Sequence, residues 1–292
     1  MLDHLNSKEK HQTLQGNFEY FEKIAQFLYK NLCPDYLKCR KNSHLAVNSD
    51  AHILALMFYQ AALGMNSQRK FHSFLKEHLG MTNLISRSRF NRRSRQLLPV
   101  ISFMRRKLVE IGGIGADIAI IDSFPMPVSK PHRRCFTKIF NGLADVGKNA
   151  TKGFSFYGFK AHCLVSATGI ILDYSIAQAS IHDVNVAIEL ISQSPCKNVL
   201  GDLGYIGQEY VEKAKELGYN FWTPYRKNMK GAKDHNNYQL SCYRSSIERC
   251  FSNLNSNYDI ENNRARSLSG FQTRFETAIF MYNLGFYDLA VN

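Results

Sequence analysis

Hydrophobic and polar positions alternate with two different periods along the chain, and the change falls near residue 112. Before it, apolar residues recur every three or four positions. Phe21, Ile24, Ala25, Leu28 and Leu32 share one helical face. Ala51 to Leu63 is apolar nearly all round and predicts a buried helix. Ser67 is placed to cap a helix that runs to Leu79 and stops at Gly80. Ser86 is placed to cap another, carrying Arg87, Arg89, Arg92, Arg93 and Arg95. Pro99 then ends or kinks that helix before "VISFMRRKLVEI" resumes the helical period. Residues 67–98 fit a helix-turn-helix with an arginine-loaded second helix, or the helix pair of any small bundle. The pattern leaves both open.

Three glycines in "EIGGIGAD" (110–117) interrupt the helical pattern and predict a boundary between a helical region, 1–112, and a second domain, 113–292. Ala116 to Asp122 reads as a strand. Phe154 to Ser166 and Gly169 to Ala179 alternate as two more, joined through "ATG" as a hairpin. Val184, Ala187, Ile188 and Ile191 mark a helix. Val199 to Asp202 is a short strand, Gln208 to Leu217 a helix closed by Gly218, and Phe221 to Tyr225 a further strand. Two helices follow, through Ile247, Phe251, Leu254 and Tyr258 and through Phe271, Phe275, Ala278, Ile279 and Tyr282. A three-strand meander followed by alternating helix and strand is the order of an RNase H-like α/β domain: a mixed sheet flanked by helices, here preceded by an all-α region. Ser123 to Lys152 has little periodicity and reads as a basic flap or a surface insertion.

Charge narrows the choice of partner. The chain carries 37 Lys and Arg against 24 Asp and Glu, a formal +13. Between Asn66 and Lys107 stand eleven basic residues and one acid, Glu77. An excess concentrated this way suits a surface that meets a polyanion, and the arginines Arg87, Arg89, Arg92 and Arg93 are candidate contacts to DNA. The seven cysteines form no CxxC pair, so a structural zinc site is not expected and free thiols in a reducing cytoplasm are. No apolar window is long enough to span a bilayer, and the polar start MLDHLNSKEK predicts no secretory leader.

Two predicted strands end on an acid: "IAIIDSFP" at Asp122 and "NVLGDLGYIG" at Asp202. A strand interior disfavours aspartate, and an unpaired buried charge is costly. Right-handed crossovers would set these strands side by side and parallel, with the two carboxylates about 5 Å apart at the edge where open α/β sheets bind ligands. Carboxylates that close repel unless a cation lies between them, and hard oxygen donors select Mg²⁺ or Mn²⁺. A third ligand is expected from the helix at 242–258, where Arg244, Glu248 and Asn255 fall within roughly 40° of one another at 3.6 residues per turn. Arg244 would steady Glu248 or grip a phosphate; alternatively the two are an ordinary surface pair.

"IDSFP" (121–125), "GDLGY" (201–205) and "RSSIERCFSNL" (244–254) resemble, in order and spacing, the three acidic motifs of the DDE transposases of bacterial insertion sequences, and "SRSRFNRR" (86–93) resembles the helical N-terminal region of one such group. The resemblance implies an RNase H-like core over about 115–289, with Asp122, Asp202 and Glu248 as a catalytic, metal-binding triad. It implies cleavage of DNA at transposon ends and joining of the freed 3′ hydroxyl to target DNA. That chemistry needs acids, positive charge and two metal ions, Mg²⁺ or Mn²⁺, about 4 Å apart, and no covalent nucleophile. No P-loop, GxSxG or HExxH pattern competes.

The expected partners are double-stranded DNA, as transposon ends and target, and a second copy of the chain, because two ends must be paired; the expected location is the cytoplasm, associated with the nucleoid. Relatives carry a lysine seven residues after the glutamate, where this chain has Asn255, which puts contacts to the transposon end in doubt. Only 46 residues separate Asp202 from Glu248, so no large insertion domain interrupts the core. Lys160 and His162 share parity on the second strand and are candidates to meet a phosphate and a DNA oxygen, if their face carries the acids; Asp183 is expected to cap the next helix. Tyr205 and Trp222 are either base-stacking residues or core. A nuclease that cuts without joining, or a DNA-binding protein with an inert core, would share most of this pattern.

Overall fold

The computed structural model describes residues 7–38, 46–112, 117–149, 153–236 and 238–287. In chain order these form α1 (Ser7–Leu32), α2 (Asp35–Lys38), α3 (Asp50–Ala62), α4 (Gln68–Glu77), α5 (Arg87–Gln96), α6 (Leu98–Gly112), β1 (Ile118–Ser129), β2 (Asp145–Asn149), β3 (Phe154–Ser166), β4 (Ile171–Gln178), α7 (Asp183–Ser192), β5 (Asn198–Gly201), α8 (Gln208–Glu216), β6 (Asn220–Trp222), α9 (Ala232–His235), α10 (Tyr238–Tyr258) and α11 (Leu268–Leu284). The chain divides into two compact units. One holds the chain through Leu108, Asn257–Asp259 and everything from Arg264 onward; the other holds Val109–Ser256 and Ile260–Asn263.

The helical unit is built on the predicted stripes. Ile24, Ala25 and Leu28 of α1 bury their apolar face against α3, ten of whose thirteen residues are buried. Ser49 and Ser67 cap α3 and α4 by accepting from the amides of His52 and Lys70, satisfying N–H groups that a helix start leaves unpaired. Gly80 takes a left-handed φ of 61° just past α4, a conformation that suits glycine. Pro99 lies at the start of α6, where a helix needs no amide donor, so it separates two helices instead of kinking one. Residues 78–86 link α4 to α5, a longer connection than the roughly three or four residues of a DNA-binding helix-turn-helix. The last helix was expected in the second domain, 113–292. It belongs to the helical unit: Phe280 stacks on Phe58 of α3 with ring centroids 5.0 Å apart, and Glu276 pairs with Arg105 of α6 at 2.9 Å.

The second unit is the mixed α/β sheet expected of an RNase H-like fold. β3 is antiparallel to β1 on one side; β4 and β2 share its other side, β4 along the second half and β2 along the first. β5 and β6 continue from β1 in parallel. Counted without β2, the order across the sheet is 3-2-1-4-5. One face, through Ala119, Ile121, Leu164, Val199 and Phe221, packs on α7 and α8. The other face meets α10, where Phe124 and Phe251 lie 4.7 Å apart between ring centroids.

The expected flap over 123–152 is regular in part, with residues 150–152 outside those described. β1 continues seven residues past Asp122, still paired with β3, and β2 follows within the same span. Pro125 and Pro127 concealed this in the sequence. A proline cannot donate to a ladder, but both have the same parity, and beyond Ile121 β1 has no β5 partner to donate to.

Candidate active site

Asp122 and Asp202 are set by strand register. The last parallel pair between β1 and β5 is Ile121 with Gly201, so the two aspartates follow side by side on neighbouring strands, whose spacing is about 4.8 Å. Asp122 shares parity with Ile120 and Phe124 and so lies on the face that meets α10. Its Oδ1 accepts from the Ser123 amide at 2.7 Å. Burial, reinforced by the charge of Asp202 and then Asp183, pushes its carboxyl up to about 7, against the opposing pull of the Ser123 amide and Arg244. Asp202 caps the single helical turn Leu203–Tyr205, its Oδ1 accepting from the Leu203 amide.

The helix α10 brings the compensating cation. Ser246 donates to the Ala167 carbonyl at 3.0 Å, which ties the helix to the β3–β4 turn. Arg244, half a turn earlier, reaches Asp202 with Nη2 2.9 Å from Oδ1, both side chains 32% exposed. Asp122, Asp202 and Arg244 are therefore brought together. Glu248, one turn further on, is exposed, and it does not join the aspartates in a cluster of metal-ligating side chains; among the described residues no three His, Cys, Asp or Glu form one. Asn255 is exposed on the same helix.

Lys160 and His162 project from the other face. His162 stands opposite Ser123 and Lys160 opposite Pro125, so both have the parity that faces α7. His162 is fully buried, with Nδ1 3.3 Å from the Tyr205 hydroxyl, and burial pushes it down to about 4, which keeps the ring neutral. Residues buried in this way, Tyr205 included, are core and not DNA contacts. Trp222 stacks on His235, which stacks in turn on Tyr225. Lys160 is occupied by Asp183 at 2.6 Å.

Asp183 is the acid that sequence reasoning passed over. His182 takes the cap position, leaving Asp183 as the first residue of α7, with its carboxylate on Lys160 and its charge felt at Asp122. Topology offered the signal. β4 runs parallel to β1 through two antiparallel steps, so a short link from its carboxyl end delivers the next acid to the same edge as Asp122.

Of the arginines on α5, Arg93 is held inside the helical unit, donating to Asp50 at 2.8 Å and to the Asn48 carbonyl at 2.5 Å. It is a structural cation and not the free DNA contact expected. Arg89 and Arg92 are exposed, and Arg87 lines a cavity in the same unit.

A family model described as a transposase DDE domain matches residues 113–268, just over half of the chain. The chain belongs to this family. No curated protein matches it. A DDE transposase acts on DNA and generally uses divalent metal ions. The donor set fits such an ion in part: two adjacent carboxylates, one of them pushed up to about 7, offer hard oxygens and repel without a cation between them. Among the described residues, no helix is long and apolar enough to cross a membrane.

Proposed function

We propose that this transposase binds transposon ends and carries out metal-dependent DNA cleavage and strand transfer, with Asp122, Asp202 and Glu248 as its acids. The observation that carries this reading is the position of Asp122 and Asp202, each one residue past the last β1–β5 pair, Ile121 with Gly201, with Arg244 paired to Asp202. Asp122 and Asp202 would hold Mg²⁺ or Mn²⁺, two ions in the full site, which supply Lewis acidity at the scissile phosphate and an activated attacking oxygen. Arg244 pairs with Asp202. With a cation held by the aspartates, Arg244 would be free to meet the phosphate and Glu248, on the same helix, would be the third acid. Exposed Arg89 and Arg92 grip the DNA backbone through contacts that need little geometry. Pairing two transposon ends requires two copies of the chain.

The test is an assay with pre-cleaved and intact end DNA in Mg²⁺. Wild-type protein is expected to give both cut and joined products, and Asp122→Asn to lower both by at least about a thousandfold, the order that removing a charge-stabilising catalytic group costs. Cutting with no joined product would identify a nuclease instead. Full activity in Asp122→Asn would overturn the assignment of the acids.

A further inference from the structure

The helical unit contains a cavity of about 530 Å³ that shares no residue with the acidic site. Six arginines line it: Arg69, Arg87, Arg95, Arg264, Arg266 and Arg274. No aspartate or glutamate does, and none of the six forms an ion pair with a carboxylate among the described residues. Like charges gathered in a concave wall repel one another, and an anion inside relieves that repulsion. Arg274 registers this strain. Burial and then the charge of Arg264 push it down to about 10, although Asp259 pulls the other way, and Nη1 donates to the Met65 carbonyl.

Backbone dipoles add to the side chains. The first turns of α4, α5 and α11 all contribute to the lining, through Gln68 and Arg69, Arg87, and Gly270 after the cap Ser267. Three helix N-termini with partial positive charge therefore converge on one arginine-lined space. The remaining wall is not phosphate-like. Met57, Ala61, Tyr258 and Ala278 give it an apolar side, and the Oδ1 of Asn66 is a buried acceptor without a partner among the described residues. The volume lies in the range of small-ligand pockets, about 300–1,000 Å³, too small for the body of a duplex.

We propose that this cavity seats a 5′-phosphorylated nucleotide: the arginines and helix starts hold the phosphate, the apolar side holds the base, and Asn66 accepts from a base or sugar donor. The nucleotide is either the end of a DNA strand, a source that rests on the transposase reading, or a soluble nucleotide. Full-length protein is titrated with a tetranucleotide labelled at its 3′ end and carrying a 5′-phosphate or a 5′-hydroxyl, read by fluorescence anisotropy. The phosphorylated probe is expected to bind at least about tenfold more tightly, because its charge-assisted hydrogen bonds are lost in the other. Arg69→Gln with Arg266→Gln, both exposed positions, is expected to remove that difference. Lys76→Gln with Arg106→Gln, which deletes the same charge from exposed residues outside the cavity, is expected to preserve it.

A competing nucleoside 5′-monophosphate that displaces the probe as well as the unlabelled phosphorylated tetranucleotide does assigns the pocket to the soluble source; displacement by the tetranucleotide alone assigns it to a strand end. Equal binding of the two probes, equal losses in the two double variants, or displacement by inorganic phosphate as efficient as by the nucleotide overturns the proposal. Asp122→Asn separates the two readings. Cleavage that survives this substitution sinks the catalytic assignment and leaves the cavity untouched, whereas loss of the phosphate-dependent difference in wild-type protein sinks the cavity alone.

Discussion

Two arginine–carboxylate pairs of equal length do opposite work in this chain. Arg105 and Glu276 join α6 to α11 at 2.9 Å with 2% and 1% of their side chains exposed. Arg244 and Asp202 meet at 2.9 Å with both 32% exposed. Distance does not distinguish them; access does. A pair sealed in the core leaves a bare charge behind when either partner is removed, so it is fixed for the life of the fold. A pair open to water gains little from its attraction and is replaced cheaply by another cation. The first holds a helix, and the second stays within reach of water.

The largest effect that would break this contrast belongs to the sealed pair. Glu276→Ala is expected to lower unfolding free energy by about 3–5 kcal/mol in a denaturant titration. A loss below about 1 kcal/mol would show that Arg105 finds another partner and that burial is not what locks the helix.

Next in size is the pH dependence of Asp122. Its carboxyl is raised from 3.8 to about 7 in the fold, so the folded state binds the proton more tightly than the unfolded state does. The corresponding stability is full below about pH 4 and is lost as pH rises toward 7. Asp122→Asn, which keeps the shape without the charge, is therefore expected to be more stable than wild type by about 2–4 kcal/mol at pH 8 and to match it near pH 4. Equal stability at both pH values would mean that Arg244 and the Ser123 amide already neutralise the site.

The smallest effect on stability sharpens the contrast most. Arg244→Gln is expected to cost no more than about 1 kcal/mol in folding and to tighten Mn²⁺ binding several-fold by calorimetry, because the competing cation is gone. Unchanged Mn²⁺ affinity would place the ion elsewhere.

Much of this was readable from residues. The stripe of α1, the capping serine of α4, the β3–β4 hairpin and the adjacency of Asp122 and Asp202 all follow from period and parity, which are local properties. What failed was non-local. Parity shows that Lys160 and His162 share a face with each other, but only the β1–β3 register shows that it is the face away from Asp122. The apolar side of α11 announces burial without naming its partner, which is Phe58 and its neighbours. Ser123 to Lys152 suggested a flap because its periodicity is weak, and the continuation of β1 across Pro125 and Pro127 becomes visible only in its pairing with β3. Asp183 looked like a cap until Lys160 was found on it.

That early stop of β5 has a consequence for how the chain avoids its own kind. From Asp122 to Ser129, β1 has no strand partner on that flank among the described residues, where Ile260–Asn262 packs against it, and a strand margin left unpaired can invite a strand from another molecule. The two prolines withhold the hydrogen-bond donors such a visitor would need, so the margin next to the acids resists self-templating.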